Sequence, residues 1–393
     1  MAADKNQSTL ITECARQSEA LLRTNLTRWG VLAASPTERA RERHYTQIFG
    51  RDAAICALGM MVAEDPVLHD GAVAGLVTLA EHQAENGQIP KYVDPERLQA
   101  DFWYVGCIDA TLWWLIAVKL VARHHPDFGL EKRFASNIQA ALNWLHCQEH
   151  PRLYLLQQNE ASDWADIMPR SGFVLYSNAL WYYVKRLYSR PHDEETLYHF
   201  NHLFFPFSRE VPDYRRLRLL THYVINKADN RDLYLSFVNF SFWGEEGDVF
   251  GNLLAILLGL ASDNPTTRIL QVLDSHQVAQ PVPTRAVTEP IEQWDSLWRT
   301  YMARHQQNLP YQYHNGGCWP FIGGFHVLAL VAAGRQDDAH ARLEALAETN
   351  AREVWGFNEW FHGKTGEPCG MPGQSWNAAL FLLARYGLNK RIF

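Results

Sequence analysis

The hydrophobic and polar positions of the chain follow a helical period over most of its length. Apolar residues recur at intervals of three and four positions, which places them on one face of a helix. The predicted helices are Leu10–Trp29, Asp52–Ala63, Ala72–Ala84, Ala110–Arg123, Phe134–His146, Leu175–Tyr188, Gly251–Leu260, Ile322–Ala333, Asp337–Glu348 and Gln374–Tyr386. A weaker helical pattern covers His192–Leu203 and Glu292–His305, and a strand-like period of two is found only in Leu153–Gln157 and Leu233–Asn239.

The connections between these helices are rich in Gly, Pro, Asp, Asn and Trp. They include Ile48–Asp52, Asn86–Asp94, Glu160–Gly172, Tyr311–Pro320 and Glu359–Gln374. Loops held by a rigid scaffold are where binding and catalytic residues collect. About a dozen helices with such loops predict an all-α fold, in which six helix pairs close into an (α/α)6 barrel. An open α-solenoid is the alternative, but no segment repeats with the fixed period that a solenoid needs.

The length of the chain allows a large core. It has 393 residues, 47% of them hydrophobic, and the fraction of surface buried on folding rises with chain length. No long linker rich in Pro, Gly or Ser interrupts it. We therefore predict a single barrel domain over residues 1–393, in which residues 1–44 form an N-terminal helix and a lead-in.

Charge and cysteine content argue against several classes of protein. A formal net charge of −7 does not fit a nucleic-acid-binding protein, which needs clustered basic residues. The longest apolar runs, such as Leu253–Ala261, are too short to cross a membrane, and the N-terminus lacks the features of a signal peptide. The six cysteines are scattered, so we expect free thiols and a cytoplasmic protein.

The abundance of aromatic residues points to a sugar as the partner. Most of the 14 Trp and 16 Tyr will fill the core, but aromatic rings also stack on sugar rings. No metal or other cofactor is expected, because His199-Phe-Asn-His202 and the pair His124-His125 lack a clear third ligand. The expected partner is thus a small-molecule sugar, with no nucleic acid or membrane, and homo-oligomerisation stays open.

Two of the connections carry carboxylates beside aromatic rings. Glu160-Ala-Ser-Asp-Trp-Ala-Asp166 has three acids around Trp164, and Phe357-Asn-Glu-Trp-Phe-His-Gly363 has a lone Glu359 among three aromatics. Hydrolysis of a glycosidic bond needs a protonated carboxyl and, in inverting enzymes, a second carboxylate that activates water. Burial against an aromatic ring would give the acid its raised pKa. The simpler interpretation is that the aspartates cap turns and that Glu359 lies at the surface.

Other positions offer groups that could hold sugar hydroxyls. His314 and Asn315 supply neutral donors and acceptors. Arg51 and Asp52 could hold two hydroxyls or form an ordinary ion pair at a helix start, and Asp109 could be a helix cap. The candidate substrate-binding residues are Arg51, Asp52, Asp109, Trp113, Asp163, Trp164, His314, Asn315, Trp319, Gln374 and Trp376.

The order of these segments resembles that in two families of glycoside hydrolases. The pattern of glycogen-debranching (amylo-α-1,6-glucosidase) domains is matched in order by Gly50-Arg-Asp52, Asn86-Gly-Gln-Ile-Pro90, Asp109-Ala-Thr-Leu-Trp113, Trp164-Ala-Asp166, Met168-Pro-Arg-Ser-Gly172, Asn178-Ala-Leu-Trp-Tyr182, His314-Asn-Gly316, Trp319-Pro320, Glu359 before Gly363, and Gly373-Gln-Ser-Trp376. Residues 251–262 and Tyr313-His-Asn-Gly-Gly317 are similar to alkaline/neutral invertases. The resemblance covers roughly residues 45–385, and the ordered set is more specific than any single motif.

This resemblance implies an (α/α)6 barrel, inversion of configuration and no metal. It places the general acid at the Asp of a Trp-x-Asp motif, which is Asp166, and the general base at Glu359. It implies an α-glucosidic bond in a small soluble sugar, either sucrose or a short oligosaccharide. The chain departs from the two patterns at His362, where debranching domains have Asp, and at Asp166-Ile-Met-Pro-Arg170, where invertases have two Arg after the Asp.

Two other functions remain open on the sequence. A sugar epimerase or isomerase on the same barrel would use a pair of histidines as acid and base, and His314, His326 and His362 are the candidates. A non-catalytic carbohydrate-binding protein would keep the aromatic residues but would not need carboxylates in both connections. The positions of these histidines and carboxylates in the fold discriminate between the three functions.

Overall fold

The computed structural model describes residues 2–102, 107–208 and 215–393. The α-helices in this part of the chain are α1 (Ala2–Asn25), α2 (Glu38–Glu42), α3 (Gly50–Met60), α4 (Pro66–Glu81), α5 (Ile108–His124), α6 (Leu130–Arg133), α7 (Ala135–Gln148), α8 (Leu175–Leu187), α9 (Asp193–Phe204), α10 (Arg215–Lys227), α11 (Val249–Leu257), α12 (Asp263–Ser275), α13 (Pro320–Ala332), α14 (Gln336–Trp355) and α15 (Ser375–Gly387). The side chains of Thr37 and Asp65 cap α2 and α4, which is why those helices begin where they do.

Six of these helices form a closed inner ring. Helices α3, α5, α8, α11, α13 and α15 each pack against the next, and α15 packs back against α3. They are buried on nearly all faces, as expected of helices that are apolar all round. Helices α3 and α15 close the ring at Gly59. This glycine lies so near the backbone of α15 that a Cβ there would be 2.0 Å from the Ala379 carbonyl oxygen.

The outer helices cover this ring with one face each. Helix α4 packs on α3, α7 on α5, α9 on α8, α12 on α11 and α14 on α13, while α1 packs on α15 and α14. In α12 only Ile269, Leu270 and Leu273 are buried. The chain therefore alternates between outer and inner helices, and it forms the predicted (α/α)6 barrel.

The connections at the two ends of the barrel differ greatly in length. Those from an inner to an outer helix are short: 61–65, 125–134, 188–192, 258–262 and 333–335. Those from an outer to an inner helix are long: 26–49, 82–107, 149–174, 228–248, 276–319 and 356–374. All the long connections reach the end at which the inner helices begin, so that end has most of the residues outside the helices available to build a binding site.

Short antiparallel strands stiffen the long connections. The pairs are β1 (Leu26–Thr27) with β2 (Gly30–Val31), and β10 (Trp360–Phe361) with β11 (Pro368–Cys369). Strands β3 (Ile48–Phe49), β4 (Tyr92–Asp94) and β5 (Gln99–Asp101) form one sheet in that order. Another holds β6 (Gln157–Gln158), β7 (Gly172–Val174), β8 (Phe237–Asn239) and β9 (Phe242–Trp243). These sheets tie successive connections to one another.

The predicted helices are confirmed with one exception. The ten strong patterns and His192–Leu203 all fall on helices. The prediction of a helix over Glu292–His305 was wrong. This stretch has only a kinked 3₁₀ segment, Thr300–Gln306. Its Trp294 is 81% exposed, while Met302 is buried in the core and Leu297 packs against it. The patterns missed α10 and α12, whose apolar stripes are narrow. Of the two strand predictions, Leu153–Gln157 contributes only Gln157 and Leu233–Asn239 only its second half.

Two expectations about the whole chain can also be compared with the fold. All six cysteines are unpaired, as their scattered spacing predicts. No helix in the described ranges is both long enough and apolar enough to cross a membrane.

Candidate active site

Side chains from the starts of all six inner helices collect at the end of the barrel that carries the long connections. They lie in the first turn of a helix or just before it: Asp52 in α3, Asp109 in α5, Tyr176 in α8, Asp248 before α11, Trp319 before α13 and Trp376 in α15. The N-terminal ends of helices carry a partial positive charge, which favours carboxylates there. The sequence thus brings acidic and aromatic groups to one place.

Glu359 is held at the start of the hairpin formed by β10 and β11. The residue is only 4% exposed. Its Oε1 accepts a hydrogen bond from the Tyr45 hydroxyl at 2.7 Å, and its Oε2 accepts one from the Met371 backbone N–H at 3.0 Å. Gly370 has a φ of +76° and leaves room for the carboxylate, because a Cβ there would lie 2.4 Å from Oε2. The carboxylate is therefore buried in a fixed orientation.

The environment of Glu359 favours a proton on it at neutral pH. Burial raises the pKa of this carboxyl from 4.5 to about 7, against the opposing effect of the hydrogen bonds from Tyr45 and Met371. The negative charges of Asp52 and Asp166 raise the pKa further. A pKa close to the working pH is what general acid–base catalysis requires. The effect of Asp166 also means that the two predicted catalytic carboxylates lie close enough for their charges to interact.

Asp166 lies in a more open position than Glu359. Its Oδ2 forms an ion pair with the Lys91 ammonium at 3.1 Å, and its side chain is 30% exposed. The sequence predicts an acid that is buried against an aromatic ring, but Asp166 is only partly buried and its carboxylate pairs with Lys91. The charge of Asp166 acts on His314 and Tyr313 as well as on Glu359, so the carboxylate borders the same space as these residues.

Asp163 shapes the turn that carries Asp166. Its Oδ1 accepts from the Ala165 backbone N–H and its Oδ2 from the Gln158 amide, both at 2.9 Å. Burial raises its pKa to about 6, and the nearby Arg170 guanidinium opposes the rise. Because both oxygens bind the protein, Asp163 supports the connection and does not face a ligand.

Arg51 joins the acidic residues at the starts of α3 and α5. Its guanidinium forms ion pairs with Asp52 at 3.1 Å and Asp109 at 3.4 Å. Asp109 is fully buried and also accepts from the Tyr176 hydroxyl at 3.1 Å. It lies inside the first turn of α5 and is not its cap. Burial raises the pKa of Asp52, and the charge of Arg51 opposes this. Asp52 is the member of this group whose charge reaches Glu359.

Aromatic rings form one wall of the site. His314 stacks on Trp319, with ring centroids 5.3 Å apart, and Trp164 meets His314 edge-on at 4.9 Å. Trp376 lies edge-on to Trp319 at 5.8 Å, and the Arg51 guanidinium lies over its ring at 5.7 Å. Burial lowers the pKa of His314 to about 3, so the imidazole is neutral, as the sequence predicts for a group that binds hydroxyls.

Two further predicted binding residues, Trp113 and Asn315, also have their polar groups bonded within the protein. Trp113 is fully buried, and its indole N–H donates to Tyr176 at 2.7 Å. Asn315 is also fully buried, and its amide binds the backbone of Ile291 and Asn308. Both residues support the site from behind.

Several buried polar atoms around the aromatic wall have no hydrogen-bond partner within the described residues. They are the indole N–H groups of Trp164 and Trp376, Nδ1 of His314 and the amide nitrogen of Gln374. Buried polar atoms are normally hydrogen-bonded. A ligand with many hydroxyl groups would satisfy these, which is consistent with a sugar.

Sequence reasoning missed three residues of the site. Tyr45 lies in a charged stretch of the lead-in, where nothing marks it. Lys91 belongs to the polar connection Asn86–Asp94, and that connection was the available signal. Arg170 is buried with Glu246 at 3.2 Å and Asp248 at 3.3 Å, and it anchors the connection carrying Asp166 to the start of α11.

Comparisons with known proteins give a partial match in sequence. A family model described as alkaline and neutral invertase matches residues 238–390. Neutral/alkaline invertase 1, mitochondrial, from Oryza sativa subsp. japonica is 27% identical over 140 residues, which are 34% of this chain and 22% of that protein. Probable alkaline/neutral invertase D from Arabidopsis thaliana is 28% identical over 140 residues, 34% of this chain and 26% of that protein. The matching part spans about a quarter of the length of these relatives.

The match in structure extends over nearly the whole chain. A mannosylglycerate hydrolase from Thermus thermophilus, crystallised with Tris and D-glycerate, superposes with a TM-score of 0.66 at 15% identity, covering 94% of this chain and 99% of the other. A protein described as a wild-type glycosidase gives a TM-score of 0.62 at 15% identity and 97% coverage of both chains. The chain thus shares its fold with glycoside hydrolases and resembles the alkaline and neutral invertases in sequence over its C-terminal part.

Proposed function

We propose that the protein is an inverting glycoside hydrolase that cleaves an α-glucosidic bond in a small soluble sugar, such as sucrose or a short oligosaccharide. One observation carries the proposal. Asp166 and Glu359 come from connections far apart in the sequence, yet the negative charge of Asp166 is among the causes that raise the pKa of the Glu359 carboxyl. An acid and a base that flank a sugar are the minimum that this reaction requires. The aromatic wall and the similarity to invertases give it further support.

In the proposed mechanism Asp166 is the general acid and Glu359 the general base. Asp166 gives its proton to the glycosidic oxygen as the bond between that oxygen and the anomeric carbon breaks. Glu359 takes a proton from water, whose oxygen attacks the anomeric carbon from the opposite face. The products are a sugar of inverted configuration and the free leaving-group alcohol, and solvent returns the protons to their starting positions.

The reactive form needs a single proton on the pair, and it must sit on Asp166. In the structure the Lys91 ammonium lies 3.1 Å from Asp166, so this ion pair belongs to the resting form and has to open when the leaving group arrives. Because Glu359 must be ionised to act and its pKa is about 7, kcat/KM should rise with pH through about 7.

The proposal is tested by screening hydrolysis of sucrose, trehalose, maltose, isomaltose and panose with the wild type and two variants. Asp166→Asn and Glu359→Gln should each lower kcat by about 10²–10⁴-fold while sugar binding persists, because each removes a proton-transfer group and keeps its shape. Asp337→Asn is the control, since Asp337 is an exposed carboxylate in the first turn of the outer helix α14. Full activity of Glu359→Gln would remove Glu359 from the reaction.

Lys91 favours a second candidate substrate, a sugar linked to an anionic hydroxy acid. The general acid touches the glycosidic oxygen, so the Lys91 ammonium beside it lies towards the leaving group. An ammonium pairs well with a carboxylate, and the superposed Thermus thermophilus protein is a mannosylglycerate hydrolase. Lys91→Gln should then raise KM for an α-glucoside of glycerate and leave KM for sucrose unchanged. An equal effect on both substrates would contradict this candidate.

The two rival functions have less support. An epimerase needs two histidines in one site, but His326 is buried next to Thr284, and Nδ1 of His362 accepts hydrogen bonds from the backbone of its own turn. Of the three candidate histidines only His314 borders the carboxylates. A purely sugar-binding protein would not need a buried Glu359 whose pKa is raised, because that arrangement costs stability and adds no contact.

A further inference from the structure

Tyr45 reaches Glu359 from a distant part of the chain. It belongs to the connection 26–49 between α1 and α3, whereas the segment matched by the family model for alkaline and neutral invertases begins at residue 238. Its hydroxyl donates to Glu359 Oε1 at 2.7 Å and also contacts the Tyr313 hydroxyl. Among the described residues of the site, Glu359 is the only carboxylate that accepts from a tyrosine hydroxyl on one oxygen and from a backbone N–H on the other.

The connection 26–49, which carries Tyr45, packs against the connection 356–374, which carries Glu359. The backbone N–H of Tyr45 donates to the Ala40 carbonyl at 2.8 Å, and its carbonyl accepts from Ala34 at 3.1 Å. The Tyr45 ring packs with Ala34, Ala40 and Met371. Met371 also supplies the second donor to Glu359, so both hydrogen bonds to the carboxylate depend on the same small cluster.

We infer that Tyr45 is a positioning residue for Glu359, which orients the carboxylate and sets the pH at which it becomes ionised. The inference rests on the proposed function for the role of Glu359 as base. The hydrogen bond from Tyr45 to Glu359 does not depend on that role. A hydrogen bond donated to a carboxylate favours its charged form. Removal of the hydroxyl should therefore keep Glu359 protonated to higher pH and leave it free to rotate.

The other groups around Glu359 determine how large this effect can be. Asp52 and Asp166 face it with negative charge, while Arg51 and Lys91 partly balance those charges. Tyr313 adds a neutral hydroxyl whose pKa is raised by burial. The favourable contacts to the carboxylate in this setting are the hydrogen bonds from Tyr45 and Met371. Because a bond to a charged group is among the stronger ones, its loss should move the ionisation upward by about one pH unit.

The first test needs no substrate. The melting temperature is measured against pH for the wild type, Tyr45→Phe, Glu359→Gln and the double variant. A buried carboxyl with a raised pKa loses stability as pH rises, until it is fully ionised. The pH at which this loss levels off should be about one unit higher in Tyr45→Phe than in the wild type. In the Glu359→Gln background Tyr45→Phe should leave the pH dependence unchanged.

The second test uses whichever sugar the enzyme hydrolyses. The acidic limb of kcat/KM should move upward by the same shift in Tyr45→Phe, and kcat should fall about tenfold with little change in KM. Tyr234→Phe is the control, because Tyr234 is a buried tyrosine whose hydroxyl binds the Asn201 amide and not a carboxylate. An unmoved limb and an unmoved stability profile would overturn the inference, as would a shift that persists without Glu359. If no sugar is hydrolysed by any variant, the proposed function fails while the stability test still decides the role of Tyr45.

Discussion

Burial shifts the pKa values of several residues in this site so that their neutral forms are favoured. Burial raises the pKa of Glu359 to about 7 and of Asp163 to about 6, and it lowers the pKa of His314 to about 3. A group whose pKa differs between the folded and unfolded chain makes stability depend on pH. The folded state is therefore penalised at high pH by the carboxyls and at low pH by the imidazole.

The lowered pKa of His314 should make the folded protein less stable as pH falls. Its folded pKa lies below the unfolded value, so its contribution to stability is complete above about pH 6.5 and is lost as pH falls towards 3. Between about pH 7 and about pH 4.5 the cost of burying the imidazole should grow by about 3 kcal/mol. His314→Gln should thus lose less melting temperature over this range than the wild type does. His222→Gln, at a surface histidine of α10, is the control and should follow the wild type.

Among the elements, the hairpin formed by β10 and β11 is what holds Glu359. Gly370 follows β11 with a φ of +76°, and a Cβ there would lie 2.4 Å from Glu359 Oε2. Gly370→Ala should displace the carboxylate and lower kcat by at least about tenfold, in addition to a backbone cost of about 1 kcal/mol. Gly334→Ala is the matched control, because Gly334 has a φ of +74° with no atom within 4 Å of its Cβ position. Equal activity in the two variants would show that the hairpin does not position Glu359.

The sequence predicted the inner helices well because their apolar residues repeat with the helical period and have no competing signal. The outer helices α10 and α12 escaped detection, because a helix that buries only a narrow stripe looks polar. Glu292–His305 was predicted as a helix from a few apolar residues, but those residues pack against the core from a turn-rich stretch with only a kinked 3₁₀ segment. The helical period of apolar residues in a sequence does not show whether their shared face packs against another part of the protein.

The sequence indicates candidate site residues that lie next to one another in the chain. It does not indicate residues that reach the site from a distant part of the chain. Asp166 and Glu359 were predicted because each lies beside aromatic residues in a polar connection. Tyr45 was missed since its role depends on a contact across 314 positions of the chain. The pairing of Asp166 with Lys91 was missed for the same reason, because which way a loop carboxylate turns depends on the neighbouring connection.

At the largest scale, the barrel joins the two ends of the chain. Helix α15 closes the inner ring on α3, and α1 packs on α14 and α15. We expect residues 1–393 to form a single domain that unfolds in one transition. Urea unfolding curves from tryptophan fluorescence and far-UV circular dichroism should then superimpose, and limited proteolysis should not release two folded halves.

A variant at the closing contact tests the same expectation. Gly59→Ala would place a Cβ 2.0 Å from the Ala379 carbonyl oxygen, so it should destabilise the protein by about 1–3 kcal/mol or more through overpacking. Gly75→Ala, another helical glycine whose Cβ would have ordinary contacts at 3.7 Å, should leave stability unchanged or raise it slightly. Two separate transitions in Gly59→Ala would contradict a single cooperative barrel.

The proposed mechanism depends above all on Asp166 and Glu359 acting from opposite faces of a sugar, with water between Glu359 and the anomeric carbon. Proton NMR of the reducing sugar formed in the first minutes of hydrolysis reports this arrangement, because spontaneous mutarotation has not yet mixed the anomers. With sucrose or another α-glucoside that the wild type cleaves, we expect β-glucose to appear first and then to equilibrate. Initial release of α-glucose would contradict the mechanism, since it would make the enzyme retaining and Glu359 a nucleophile.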